Sequence, residues 1–308
     1  MKILVTGALG HIGSKLIRDL SSITNIKNIY LIDDLRTQRF NSLMLLSKKG
    51  KYKFYDETLS KENLDLLVKK SDFIIHLAAI TDAASSFGKF NQLKKNNLDN
   101  TKLVTYFCSK YKKKLIFISS TSVYGSNDKI MYEDENNLNP QSPYAKIKIS
   151  EEKYINKFIK EKKINAVILR FGTILGYSTG MRFHTAVNKF CYNASLGKPL
   201  TVWKTALNQK RPYLGINDAC SSIIFFINNP KFFNNTYNVL SSNLTVKDII
   251  NYIKLVKKVK VNFVNSKIMN QLSYEVSVDK LKKLKFKFKD NLKFLIKEEM
   301  KYLQNIDN

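Results

Sequence analysis

The chain has 308 residues, of which 44% are hydrophobic and 25% are charged. This composition is typical of a globular protein and excludes a disordered tail, a collagen and a small disulfide-stabilised scaffold. The formal net charge is +27, but only six of the 52 basic residues are Arg. Because Arg is the residue best suited to bidentate phosphate recognition, we interpret the dispersed Lys as a compositional bias and predict no specific nucleic-acid partner.

The cysteine and hydropathy patterns argue against several further classes of protein. The three Cys are isolated, and His and Cys form no group with metal-ligand spacing, so we predict neither a disulfide framework nor a metal site. No apolar run reaches the roughly 18 residues of a membrane span. Gly7 and Gly10 break the apolar N-terminus at once, unlike a signal peptide. These patterns predict a cytoplasmic protein with no membrane partner.

Short apolar runs rich in β-branched residues alternate with longer helical patterns through the first half of the chain. The predicted strands are 2–6, 29–33, 52–55, 73–77, 115–119 and 166–171. The predicted helices are 10–20, 59–70, 91–111 and 143–162. This alternation predicts an α/β fold with a doubly wound parallel sheet that is covered on both faces. Residues 172–213 have no regular pattern, and short helices and strands are predicted again from about residue 244.

A glycine-rich turn follows the first predicted strand and opens the first helix. Gly7, Gly10 and Gly13 enclose His11 and Ile12 in the pattern G-x-x-G-x-x-G. The first glycine permits a tight turn, the second lets backbone N–H groups approach a pyrophosphate, and the third lets the helix pack closely on the sheet. The helix N-terminus adds a favourable dipole for an anion. In this βαβ context the pattern predicts a dinucleotide site.

An acidic residue ends the second predicted strand. Asp33 lies twenty residues after Gly13, where a carboxylate accepts hydrogen bonds from a ribose 2′-OH and repels a 2′-phosphate. We therefore predict NAD rather than NADP, although Arg36 and Arg39 follow closely. Asp56, just past the third strand, is either an adenine contact or a plain turn residue.

A Tyr-x-x-x-Lys pair is the candidate reacting centre. Tyr144 and Lys148 share one face of the helix that begins after Pro143. A Lys ammonium beside the phenol favours the phenolate and lowers the Tyr pKa, which produces a base for an alcohol proton. Upstream, the run Ser-Ser-Thr-Ser-Val-Tyr-Gly over 119–125 follows a strand. Hydroxyls at the carboxyl end of a parallel strand face the ligand crevice.

Together these residues resemble the extended short-chain dehydrogenases/reductases, and more narrowly the NAD-dependent nucleotide-sugar epimerase/dehydratase group, over essentially the whole chain. The resemblance rests on the glycine triplet, the acid at 33, the His-Leu-Ala-Ala strand end at 76–79, Asn97, the hydroxyl run and the Tyr–Lys pair, in the family's order. The segment Lys-Arg-Pro-Tyr-Leu-Gly-Ile-Asn-Asp over 210–218 is similar to the family's Arg-x-Tyr-x-His-Val-x-Asp.

The resemblance implies NAD as the cofactor, Tyr144 as the catalytic base, Lys148 as its partner and a ribose ligand, and Ser120 as the group that orients the sugar oxygen. The assigned cofactor contacts are Gly7, Gly10, His11, Ile12, Gly13, Asp33, Asp56, Leu77, Ala78, Ala79, Asn97, Tyr144 and Lys148. The assigned nucleotide-sugar contacts are Thr81, Ser120, Thr121, Ser122, Tyr144, Thr173, Asn188, Trp203 and Arg211. For Trp203, a core aromatic is an equally good interpretation.

Departures from the family pattern reduce the number of reactions that the resemblance allows. The 4,6-dehydratases carry Asp-Glu after the orienting Ser/Thr, and the decarboxylases carry Glu at the second position, whereas this chain has Thr121 and Ser122. A redox cycle without elimination remains, so the resemblance implies epimerisation of a nucleotide-activated sugar, at C4. Two alternatives stay open: a sugar or alcohol dehydrogenase or reductase with net redox, and a non-catalytic dinucleotide sensor or RNA-binding member of the fold.

The same resemblance sets the expected domain organisation. We expect a Rossmann domain over 1–170 that carries a smaller substrate-binding lobe built from 171–213 and 241–308. The stretch 214–240 is expected to pack back on the Rossmann domain. Family members dimerise through the two long helices, so a homodimer is expected, although both helices have Lys-rich faces.

Overall fold

The computed structural model describes residues 1–81, 88–183, 185–265 and 273–303. Parts of the predicted lobe, at 266–272 and 304–308, lie outside these ranges. The strands are β1 (Lys2–Thr6), β2 (Asn28–Asp33), β3 (Tyr52–Asp56), β4 (Phe73–His76), β5 (Lys114–Ser120), β6 (Ile130–Met131), β7 (Asn165–Phe171), β8 (Thr173–Leu175), β9 (Leu200–Trp203), β10 (Lys210–Gly215), β11 (Asn235–Val239), β12 (Ser242–Thr245), β13 (Val261–Val264) and β14 (Glu275–Val276). The helices are α1 (His11–Leu20), α2 (Lys61–Lys70), α3 (Phe90–Leu93), α4 (Asn100–Lys110), α5 (Pro143–Lys160), α6 (Ala186–Ser195), α7 (Ile216–Asn228), α8 (Val246–Lys254), α9 (Asp279–Lys283) and α10 (Leu292–Lys301).

Seven strands form a parallel central sheet in the order β11-β7-β5-β4-β1-β2-β3. The strand order reverses between β1 and β4, and in open α/β sheets such a reversal leaves a crevice at the carboxyl ends of the strands, where ligands bind. The predicted α/β class with a doubly wound parallel sheet is therefore confirmed.

Alternation along the strands places helices on both faces of the sheet. In β1, Ile3 and Val5 belong to a core cluster with α1 and α7, whereas Leu4 belongs to a second cluster with α2, α4 and α5. All three side chains are fully buried. A strand that is apolar at every position is the expected pattern for a parallel sheet covered on both sides.

The predicted helix over 91–111 is interrupted. A π-helical turn, Lys94–Asp99, joins α3 to α4 and buries Asn97. The Asn97 amide accepts from the Ile80 backbone N–H and donates to the Ile80 carbonyl, each at 2.9 Å. π-turns inside α-helices are rare and frequently lie at functional sites. Here the turn fixes the loop that follows β4.

A second lobe packs over the carboxyl ends of the central strands. A three-stranded sheet, β12-β10-β8, and helices α6, α8 and α10 enclose their own apolar core. The prediction of an irregular backbone over 172–213 was wrong, because β8, α6 and β9 lie within this range and β10 begins in it. These elements have only three to ten residues. Their hydrophobic periodicity is too short to be recognised in a segment rich in Gly and Asn.

The chain returns to the central sheet between the two parts of this lobe. α7 packs against α1, and β11 pairs with β7 along the sheet edge. Among the described residues, no helix is both long and apolar enough to cross a membrane. Nor do His, Cys, Asp and Glu form a group of three or more suited to a metal in that part of the chain.

Candidate active site

A cavity of about 1180 Å³ opens where the carboxyl ends of the central strands meet the second lobe. Most of the residues assigned from the sequence line it. They are Gly7, Gly10, His11, Ile12, Gly13, Asp33, Leu77, Ala78, Ala79, Thr81, Ser120, Thr121, Ser122, Tyr144, Lys148, Thr173, Trp203 and Arg211. Tertiary structure thus brings together residues separated by as many as two hundred positions in the chain.

In the glycine-rich turn, two of the glycines lie too close to neighbouring backbone atoms for any side chain to fit. Gly7 has a φ of +66°, and a Cβ there would lie 2.6 Å from the Ala78 nitrogen. A Cβ on Gly13 would lie 2.5 Å from the Ala8 oxygen, so helix α1 packs on the turn only because this residue is glycine. α1 receives no side-chain cap from the described residues at Gly10. Its N-terminus faces the cavity, and this arrangement fits a pyrophosphate.

Asp33 is held at the mouth of the crevice by backbone donors. Its Oδ2 accepts from the Leu9 N–H at 3.0 Å, and its Oδ1 accepts from the Leu35 N–H at 3.1 Å. Burial raises the pKa of Asp33, while these donors and the nearby Arg39 guanidinium oppose the rise. A carboxylate fixed this way retains acceptor capacity for a ribose hydroxyl. Arg36 is paired with Asp34 at 2.8 Å.

Three of the assigned contacts do not line the cavity. Asp56 is exposed at the end of β3, and the cavity is lined by the next three residues instead. Asn97 is buried and engaged with Ile80, as described above. Asn188 is buried in α6, where its Nδ2 donates to the Arg182 carbonyl at 2.8 Å. The two asparagines therefore hold cavity-lining backbone and do not line the cavity themselves.

The candidate reacting centre lies where β5 and α5 meet. Ser142 caps α5 through the Ala145 N–H at 3.2 Å, which fixes the start of the helix that carries Tyr144. Ser120 ends β5, and its Oγ accepts from the Ser122 N–H at 3.1 Å. Tyr144 and Ser120 both line the cavity, and the Ser120 hydroxyl is close enough to act on the Tyr144 phenol. An alcohol placed between them would contact both groups.

The electrostatics of this centre differ from the prediction. Burial raises the pKa of Tyr144, and the Lys148 ammonium opposes the rise without cancelling it. The expected fall in the pKa of Tyr144 was therefore wrong for the protein without ligand. The Lys148 Nζ lies 5.9 Å from the centre of the Tyr144 ring and donates to the Ile118 carbonyl at 3.1 Å. Desolvation outweighs a cation at that distance.

Further hydroxyls and cations also line the cavity. Ser122 Oγ and Thr185 Oγ1 are buried without a hydrogen-bond partner in the described part of the chain. Both residues line the cavity, so these hydroxyls fit a polar ligand. Among these cations are Arg182, Lys189 and Arg211. Arg in particular suits the oxygens of a diphosphate.

The sequence interpretation missed Arg182, Lys189 and Tyr274. Arg182 is hydrogen-bonded to Thr81, which bridges the second lobe to the loop after β4. Its one available signal was rarity, since the chain has only six Arg. The Tyr274 hydroxyl lies 3.3 Å from Thr121 Oγ1. Tyr274 has no motif around it, and only the fold brings it to the cavity.

Residues of the glycine-rich turn also join the two lobes. The His11 Nε2 donates to the Gly176 carbonyl at 2.7 Å, and Ser178 Oγ donates to the His11 carbonyl at 2.8 Å. A Cβ on Gly180 would lie 2.2 Å from the Leu9 oxygen, so the loop after β8 lies directly on the turn. The dinucleotide end of the cavity is therefore coupled to the second lobe.

A parallel sheet with a glycine-rich turn at its switch point and a Tyr–Lys pair across the crevice defines a dinucleotide-dependent protein of the Rossmann type. The chain belongs to the NAD-dependent epimerase/dehydratase family, whose model matches residues 3–239. This membership confirms the resemblance seen in the sequence and the prediction of NAD.

Individual relatives cover most of the chain. It is 31% identical over 239 residues to an ADP-L-glycero-D-manno-heptose-6-epimerase of Brachyspira hyodysenteriae, covering 74% of this chain and 72% of that protein. It is 32% identical over 248 residues to an uncharacterised UDP-glucose epimerase of Bacillus subtilis, covering 78% and 76%. A solved UDP-glucuronic acid 4-epimerase of Bacillus cereus, in complex with UDP-glucuronic acid and NAD, superposes with a TM-score of 0.88 at 28% identity over 99% of both chains.

Proposed function

We propose that this protein is an NAD-dependent epimerase that inverts C4 of a nucleotide-activated sugar. The observation that carries the proposal is the reacting end of the cavity, which Tyr144, Ser120 and Lys148 line with no acidic side chain of the described residues lining it beside them. Among the described residues, the carboxylates that line the cavity are Asp33, Asp34 and Glu57, all at the ends of β2 and β3. Elimination of water would call for an acid and a base beside the sugar.

The relatives and the cations support the substrate class. The proteins of similar sequence and structure act on nucleotide sugars by their names, and the Bacillus cereus enzyme is a 4-epimerase. Arg182, Lys189 and Arg211 line the cavity and supply positive charge for the diphosphate. Trp203 also lines the cavity and offers a ring for a nucleotide base.

The chain's own residues have distinct tasks in this reaction. Tyr144 accepts the proton of the sugar hydroxyl and later returns it, while Ser120 donates to the same oxygen and fixes its position. Lys148 stabilises the phenolate that forms. When bound, NAD⁺ supplies the hydride acceptor and donor, and its positive ring favours the phenolate. The cavity volume of about 1180 Å³ leaves room for the keto sugar to present its other face.

The test is a chromatographic assay of the purified protein with NAD⁺ and a panel of UDP-, GDP-, CDP-, ADP- and dTDP-sugars. The near-ultraviolet absorbance of NADH is followed in the same samples. A new epimer without lasting NADH absorbance is the expected result. Growth of that absorbance in step with an oxidised product would overturn the proposal and make the protein a dehydrogenase. The homodimer expected from the two long helices stays a prediction.

A further inference from the structure

A buried carboxylate lies behind the candidate reacting pair. Glu151 Oε2 is 3.0 Å from Lys148 Nζ, and the two side chains are 1% and 3% exposed. Glu151 does not line the cavity. Any effect on the chemistry is therefore exerted through its charge and its neighbours, of which Lys148 is one. The assignments from the family resemblance gave no role to this position.

The carboxylate also ends a chain of hydrogen bonds whose direction is fixed. Thr101 Oγ1 donates to Glu151 Oε1 at 2.6 Å, so the Thr101 oxygen accepts from His76 Nε2 at 3.1 Å. The unprotonated His76 Nδ1 then accepts from Thr6 Oγ1 at 2.7 Å, and Thr6 accepts from the Ala78 N–H at 3.3 Å. Glu151 thereby connects Lys148 to the strand end that lines the dinucleotide side of the cavity.

We propose that Glu151 is a positioning residue for the reacting pair: its carboxylate fixes the Lys148 ammonium and offsets the positive charge in front of Tyr144. Without the carboxylate, the buried Lys148 ammonium would be an uncompensated cation in front of Tyr144, and loss of the phenol proton would offset that charge. Glu151 thus keeps the phenol protonated to a higher pH than Lys148 alone would allow.

The other charged groups around the pair do not reproduce this effect. Burial and the Lys148 ammonium lower the pKa of His76 to about 3, so this ring is neutral. Glu152 is engaged by Arg170 at 2.8 Å. Arg182 is a cation and opposes the effect of Glu151 on Tyr144. Glu151 is therefore the acid in direct contact with Lys148 among the residues described.

The inference rests on the proposed role of Tyr144 as the base, but its test needs no substrate. The ultraviolet difference absorbance of tyrosinate is followed against pH in the NAD⁺-saturated protein, and the same titration of Tyr144→Phe is subtracted to remove the other tyrosines. In Glu151→Gln we expect the midpoint of the Tyr144 signal to fall by about one pH unit. An unchanged or raised midpoint would overturn the inference.

Two further variants keep the test decisive. Glu161→Gln removes the same charge about 15 Å further along the helix axis, at an exposed site, and should leave the midpoint unchanged. Glu151→Asp keeps the charge but withdraws it from Lys148, so a partial fall is expected even if Glu151→Gln does not fold. A wild-type midpoint in Glu151→Asp and Glu151→Gln alike would show that Glu151 is merely structural. Failure of the proposed epimerase activity would leave these midpoints unaffected.

Discussion

Arg170 and Glu152 form a buried two-point ion pair between the central sheet and the helix that carries Tyr144 and Lys148. Arg170 Nε lies 3.1 Å from Glu152 Oε1, and Arg170 Nη2 lies 2.8 Å from Oε2. Arg170 Nη1 also donates to the Tyr124 hydroxyl at 2.8 Å. Because Arg170 lies in β7 and Glu152 in α5, the pair joins α5 to the central sheet.

Loss of one partner of this pair should destabilise the whole protein. Arg170→Met leaves the Glu152 charge buried and uncompensated, and we expect the free energy of unfolding to fall by about 3–5 kcal/mol. Chemical denaturation measures this. Lys163→Met breaks the exposed pair with Glu161 and should change stability far less, because water screens that pair. Equal losses in the two variants would contradict the assigned role.

Removal of the phenol oxygen should separate chemistry from binding. Tyr144→Phe keeps the ring but removes the proton acceptor, so turnover should fall by about 10²–10⁴-fold while NAD affinity is retained. Tyr274→Phe is the matched control, since its hydroxyl faces the same cavity but contacts Thr121. Steady-state kinetics and NAD titration measure the two effects. Turnover near the wild-type rate in Tyr144→Phe would exclude this residue as the base.

A substitution in the glycine-rich turn should lower the affinity for NAD rather than the stability of the fold. A Cβ on Gly10 would have its nearest protein neighbour 3.3 Å away, at the Gly7 oxygen, so the fold should tolerate Gly10→Ala. Because Gly10 lines the cavity, we expect NAD affinity to fall on the order of tenfold, measured by calorimetric titration.

Gly197→Ala is the control for this experiment. Gly197 has a φ of +68° and no atom within 4 Å of its would-be Cβ, so the substitution should cost stability of about 1–2 kcal/mol through backbone strain. NAD affinity should be unaltered. Equal NAD affinity in the Gly10 and Gly197 variants would show that Gly10 does not lie against the dinucleotide.

A buried acid in the second lobe predicts a pH-dependent stability. Burial raises the pKa of Glu299 from 4.5 to about 7, although its Oε2 accepts from the Gly176 N–H at 3.2 Å. Between these two values the folded protein holds a proton that the unfolded chain releases, so stability falls as the pH rises from about 4.5 to about 7. The contribution lost is on the order of 3 kcal/mol.

Glu299→Gln removes that titration. Denaturant unfolding at pH values below and above this window should show a smaller decline for Glu299→Gln than for the wild type, and greater stability of the variant at the upper pH. The difference between the two proteins isolates Glu299 from other groups that titrate. Parallel curves for the two proteins would contradict the prediction.

Local patterns in the sequence were enough to predict the parallel sheet, the glycine-rich turn and the shared helix face of Tyr144 and Lys148. Each of these depends on residues within about twenty positions of one another, because strand alternation, helix spacing and turn geometry are set by near neighbours along the chain. The same locality explains the failures. Nothing near Asn97 in the chain indicates the π-helical turn that directs it to Ile80.

Tertiary structure decided which polar groups reach the cavity and what charge they carry there. Asn188 is buried in α6 and does not line the cavity, whereas Arg182 and Tyr274 line it from segments that are distant in the chain. The direction of the pKa of Tyr144 was likewise set by burial, against the effect expected from Lys148 alone. The sequence by itself determined the fold and the spacing of the candidate reacting pair. Burial and long-range contacts, which no local pattern encodes, decided the electrostatics of that pair.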